Sequence, residues 1–268
     1  MDFDFSHIAV PFRMQPGLAR LPEGTPQLTP LAPRSRLHAE KSQVVAAGAS
    51  RNRVPGFDPA PALESIRARA RLQGIAPPDD VPLELQFEED FAVLDGDSGQ
   101  LPWLCVCVPS HWAPEDKLGL PLAAVHAPVA DAATLKAASR HLAQLVTDGG
   151  AWERFVWTVS PSARYDQHPR RHARTPWPPE GADLDAFAAG CFLRAERQTF
   201  FPVGRGTRQA VFTIRVMVAP LAQAVDTADK ARRMHDSIAS MSEAVLAYKG
   251  LGPARAPLLA WLAARGAG

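Results

Sequence analysis

One short run concentrates the side chains best suited to chemistry: Phe192-Leu-Arg-Ala-Glu-Arg-Gln-Thr-Phe200. Read as a strand, it alternates side chains between two faces, so Arg194, Glu196 and Gln198 share one face and Arg197 points to the other. With Phe192, Phe200 and Phe201 flanking them, these polar groups form either a solvated sheet edge or the wall of a polar pocket. A second run, residues 109–129, is dense in Trp, Pro and Gly and sets His126 between small and branched apolar residues. That setting alone describes a half-buried imidazole satisfied by a backbone carbonyl.

Several familiar devices are absent. Gly204-Arg-Gly206 leads into Thr207-Arg-Gln209 and a strand, without the third glycine or the helix of a dinucleotide loop, so it reads as a turn. Neither Gly-x-Ser-x-Gly nor His-Glu-x-x-His occurs, which leaves serine-hydrolase and zinc-peptidase chemistry without a signature. His168 and His172 stand four apart, but the surrounding Arg and Pro oppose a helix that would align them on a metal. Cys105, Cys107 and Cys191 are too few for a four-thiolate centre and too few for a disulfide framework, and they fit a reducing compartment.

The elements that must position these groups follow from periodicity. Strands are expected at 83–86, 91–94 and 102–108, with Asp95-Gly96 as a turn, and again at 155–160, 191–201 and 209–218. Helical spacing appears at 60–73, with Leu63, Ile66, Ala70 and Leu72 as the apolar side, and over about 131–146. Ser110 is positioned to cap a short helix containing Pro114-Glu-Asp-Lys117, and residues 122–125 give one further helical turn. Met234, Ile238, Met241, Val245 and Tyr248 form one helical stripe ended by Gly250, and a last short helix covers 258–264. Residues 164–179 form a loop.

The chain of 268 residues is 46% apolar and 21% charged, which supports a packed core rather than disorder. Its net charge of +1 provides no global field for nucleic acid or an anionic membrane, so neither is expected as a partner. Of the 26 prolines, 11 lie in residues 1–80, while Phe3, Phe5, Ile8, Val10, Phe12 and Met14 alternate with polar or small residues. An extended arm laid over the domain accounts for both. The expected division is an arm with a short helix over 1–80, a core over 81–222 and C-terminal helices over 223–268, all in one structural domain. The fold class is α+β around an antiparallel sheet. The acidic N-terminus lacks a secretory pattern, and a cytoplasmic location is expected.

These two runs, with Leu85-Gln-Phe-Glu-Glu-Asp-Phe-Ala-Val-Leu94 before them and Ala210-Val-Phe-Thr-Ile-Arg-Val216 after, resemble the haem-dependent oxidative N-demethylase family over about residues 83–221. The ordered set His-Ala-Pro-Val, Glu-Arg-Gln-Thr and the following strand carries the likeness. Phe12-Arg-Met-Gln-Pro-Gly17 and Ala239-Ser-Met-Ser242 are similar to a bacterial branch of the family. The resemblance implies a PAS-like core, a five-stranded antiparallel sheet with helices on one side, to which the periodicity adds a C-terminal helical cover. It implies haem b as cofactor with His126 as the axial iron ligand, the opposite position being open to O2. Arg154, Arg194, Arg197 and Arg215 are the candidates to pair with the propionates. Glu196 is the candidate catalytic residue and would hold the ammonium of an amine substrate. Electrons would come from a separate reductase, because the chain lacks its own dinucleotide loop. The activity so implied is removal of a methyl group as formaldehyde; the alternative is a non-catalytic haem or small-ligand sensor module. Two departures from the family pattern, Val156 before Trp157 and Phe200-Phe201-Pro202 after the Glu-Arg-Gln-Thr run, make the neighbourhood more apolar and point to an amine bulkier than dimethylamine.

Overall fold

The computed structural model describes residues 3–125, 133–179, 181, 183–204 and 206–267. In chain order the helices are α1 (Arg36–Ala46), α2 (Ala60–Leu72), α3 (Leu83–Gln86), α4 (Leu122–Val125), α5 (Ala133–Thr147), α6 (Leu184–Ala189), α7 (Leu221–Ala224), α8 (Ala228–Ala239), α9 (Glu243–Lys249) and α10 (Arg255–Gly266). The strands are β1 (Ala19–Arg20), β2 (Arg51–Arg53), β3 (Glu89–Asp95), β4 (Trp103–Cys105), β5 (Trp152–Ser160), β6 (Phe192–Pro202) and β7 (Gln209–Pro220). They form one antiparallel sheet in the order β1-β5-β6-β7-β3-β4-β2, so the protein is α+β as expected. The long central strands pair Glu196 with Val156 on β5 and with Val216 on β7. Gly204 and Gly206, both at positive φ, lie in the turn joining β6 to β7.

The sheet is buried on both faces. On one face Leu193, Ala195, Trp157 and Met217 pack against Met234, Ile238, Leu258 and Leu262 of the C-terminal cover. Farther along that face Ile66 and Ala70 of α2 meet Phe91, Val93 and Trp103. On the other face Ala143 and Val146 of α5 lie over Ala92, Leu94, Leu104 and Phe200. Helices therefore lie on both faces, α5 and α1 on one and α2 with the C-terminal cover on the other, where a layer on one side was expected beneath that cover. The arm does lie over the body: Phe3, Phe5 and Ile8 are buried in the C-terminal cluster, and Arg233 Nη1 donates to the Ile8 carbonyl at 2.8 Å. Val10, which the alternation placed among the covered residues, is 48% exposed.

Several local expectations need correction. Residues 1–80, expected to hold one short helix, also hold α1, which carries no clear apolar stripe because its buried side is Leu37, Glu40, Lys41 and Val44. Its two charged members are held by tertiary partners. Lys41 is fully buried, 3.0 Å from Asp90, and donates to the Phe87 and Glu89 carbonyls. Residues 83–86 form a helical turn instead of a strand, starting after Pro82 and fixed by Glu84, which accepts from Ser50 and Arg51. The strand expected at 102–108 is shorter, since Val106 and Val108 donate to the Ser50 carbonyl and the Asp90 carboxylate instead of to the ladder. Leu72 is 80% exposed at the end of α2, so it is no part of that helix's packed side. The single stripe from Met234 to Tyr248 is two helices. Ser242 accepts from the Val245 N–H and starts α9, while Met241 stays buried in the break, so the apolar spacing runs on through it. Gly250 ends α9 at φ +66°, a left-handed cap that glycine adopts without a Cβ penalty.

Candidate functional site

The alternation of β6 puts Arg194, Glu196, Gln198 and Phe200 on the face toward α5, where a cleft of about 460 Å³ opens. That volume suits a small-molecule site. Leu94, Leu104, Val146, Phe200 and Phe212 line its apolar part, with the Phe200 and Phe212 rings stacked at 4.5 Å. Its polar part gathers around Glu196. One Glu196 oxygen accepts from the Ser110 hydroxyl and the other from the Gln198 amide at 2.7 Å. Ser110 therefore does not cap the turn at Pro114–Asp116, whose N-cap position is Ala113 with no side-chain bond. Instead its oxygen also accepts from Arg194 Nε at 2.7 Å and links the two charged residues.

The four candidate arginines have separate fates. Arg194 is 2% exposed, and its remaining donors reach the carbonyls of Val108, Arg164 and Tyr165. Burial pushes its guanidinium down to about 10, with Glu196 opposing the shift. It braces the loop on which Ser110 sits and has no fork left for a propionate. Arg197 and Arg215 project from the opposite face, in register with each other, and each meets a carboxylate: Arg197 that of Glu153 at 3.1 Å, Arg215 that of Glu88 at 2.6 Å. Neither lines the cleft, so both leave the set of propionate partners suggested by sequence. Arg154 does line it. Its Nη1 reaches the Pro16 carbonyl only at 3.5 Å, and its Nε is shielded from water without a partner. Burial lowers its pKa, against the pull of Glu196.

Other groups at the cleft carried no sequence signal of their role. Tyr248 and Lys249 arrive from the end of α9. Lys249 Nζ donates to the Trp157 carbonyl at 2.7 Å, and burial brings its pKa down to about 8 although Glu196 acts to raise it. Met14, Gln15 and Leu18 of the arm form another part of the wall. His111, at φ +59°, lines the cleft and is brought down to about 4 by burial and by Arg174 and Arg194, so it is neutral at pH 7. Ser110 and His111 could have been suspected from the Pro109-Ser-His-Trp112 run, but their partners are more than 80 residues away for Ser110. His168 and His172 bind Glu115 and Asp166, and no three His, Cys, Asp or Glu cluster as a metal site among the described residues. The expected iron ligand, His126, lies outside the described residues.

A family model described as haem-dependent oxidative N-demethylase, alpha subunit-like, matches residues 79–259, more than half of the chain. The chain belongs to that family. The cleft fits the haem dependence that the family name carries: an apolar slot has cationic side chains in its lining, which can meet anionic carboxylates. Lys117 and the exposed Arg174 add positive charge along the same lining. Met14, Gln15 and Leu18 reach this family site from outside the matched segment. No helix among the described residues is long and apolar enough to cross a membrane.

Proposed function

We propose that this chain is a haem-dependent oxidative N-demethylase, a monooxygenase acting on a secondary or other methylated amine with O2 and with electrons from a separate reductase. The amine loses its methyl group as formaldehyde; with two electrons and two protons taken up, one oxygen atom leaves in formaldehyde and the other in water. The observation that carries this reading is Glu196, a carboxylate facing an apolar cleft with each oxygen held by a neutral donor. A secondary amine is protonated at neutral pH, and a fixed carboxylate in such surroundings binds an ammonium strongly. His126 would supply the iron ligand, and Lys117 and Arg174 are the cations on hand for propionates. The bound haem b would supply O2 activation and one-electron chemistry. The chain's own residues bind and orient the amine. Ser110 and Gln198 fix the Glu196 rotamer, the Phe200–Phe212 stack excludes water beside it, and Glu196 can take the ammonium proton so that the nitrogen lone pair becomes available. The more apolar surroundings of Phe200 and Val156 support an amine bulkier than dimethylamine.

The test is formaldehyde release from the purified, haem-loaded protein with NADH, a reductase and a panel of methylated amines. Amine-dependent formaldehyde that requires the reductase supports the reading. A haem spectrum that responds to amines without any turnover would instead favour a haem sensor module, and failure to bind haem would remove both of these and leave a small-ligand module.

A further inference from the structure

We infer that the amine carries a carboxylate next to its nitrogen, so that the substrate class is the N-methyl amino acids, with Arg154 as the residue that reads the acid group. This rests on the reading of Glu196 as the ammonium site. Arg154 and Glu196 stand on adjacent strands of the cleft face: Arg154 is in register with Gln198, and Glu196 is two residues along. They are diagonal neighbours, roughly 7–8 Å apart at the backbone. No ion pair joins them, and Arg154 is held only by the long 3.5 Å bond from Nη1 to the Pro16 carbonyl among the described residues. A cation and an anion that face one cavity without meeting form a receptor for a zwitterion. In an α-amino acid the ammonium and the carboxylate are joined through one carbon, so an anion and a cation projecting into one cavity can hold both, each through a charge-assisted bond.

Arg154 suits this task better than the other cleft cations. Arg194 is bound by Ser110 and three carbonyls, and Lys249 by the Trp157 carbonyl. Arg174 is exposed and serves a group reaching toward solvent, and Lys117 Nζ is 3.4 Å from the Val125 carbonyl, whereas Arg154 stands on the central sheet beside Gln198 and near Glu196. A guanidinium also binds carboxylate through two parallel bonds, which fixes orientation as well as charge.

The experiment compares N-methylglycine with N-methylglycinamide, which keeps the ammonium and replaces the carboxylate by a neutral amide. Binding is measured by calorimetry and by the absorption change of the haem-loaded protein. The wild type should bind the acid roughly tenfold or more tighter than the amide. In Arg154→Gln that ratio should fall to about one, with haem stoichiometry retained. Equal affinities in the wild type would overturn the inference, and this comparison holds even where the variant fails to fold. A variant that loses haem yet keeps the preference for the acid would also overturn it, by assigning Arg154 to a propionate. Since calorimetry needs no turnover, an Arg154-dependent preference without formaldehyde would sink the demethylase reading alone, while turnover of simple amines without that preference would sink only the inference.

Discussion

Replacing Glu196 by Gln preserves the shape of the side chain and removes its charge. In the wild type both carboxylate oxygens accept hydrogen bonds, from Ser110 and from Gln198. An amide at 196 can still accept from Ser110, and a flip of the Gln198 amide lets it accept from the new NH2 group. The fold should therefore persist. What disappears is a charge-assisted bond to the ammonium, worth about 1.5–3 kcal/mol, or roughly a 10- to 150-fold rise in the dissociation constant of an amine. A second consequence follows from Lys249, whose pKa near 8 is held up by Glu196 against burial. In Glu196→Gln it should titrate at lower pH. The assay is a titration of the haem-loaded protein with amine at several pH values, alongside a measurement of haem content. Amine binding at the wild-type concentration, with haem intact and the Lys249 titration moved, would refute the assignment: the carboxylate would then be a partner for the local cations and nothing more.

Ser110→Ala removes the hydroxyl that joins Arg194 Nε to Glu196, so amine affinity should drop by several-fold while haem content stays, measured in the same titration. Lys41→Met leaves the Asp90 carboxylate buried without its cation and should cost about 3–5 kcal/mol in urea denaturation, the loss shrinking when Asp90→Asn is added. Glu84 is held down to about 2: burial alone would raise its pKa, but hydrogen bonds from Arg51 and Ser50 outweigh that. Because the folded pKa is depressed, the stabilisation is present above the ordinary carboxylate range and lost as pH falls toward 2. Glu84→Gln should thus be less stable than wild type by on the order of 3 kcal/mol at pH 7, with the gap narrowing between pH ~5 and ~2 in acid-denaturation curves.

Sequence by itself determined the central sheet strands, because β3, β5, β6 and β7 are long enough for apolar residues and period-two alternation to be read locally. The same alternation put Arg194, Glu196 and Gln198 on one face, and the ordered motifs identified the family. Local pattern failed where stability comes from distant partners. Helix α1 buries Glu40 and Lys41, and the Lys41 face makes sense only once Asp90 lies against it. The division of the arginines was equally beyond local reading. Four guanidiniums with the same chemistry became a brace, two ion-pair partners on the far face and one loosely held group in the cleft, according to strand register and to loops far away in the chain. Tyr248, Lys249 and the arm residues Met14, Gln15 and Leu18 join the site in the same way. Periodicity reports which face of an element is covered, but which charges meet across a cleft is set by the packing of whole elements, and a burial or pairing energy exists only after that packing is complete.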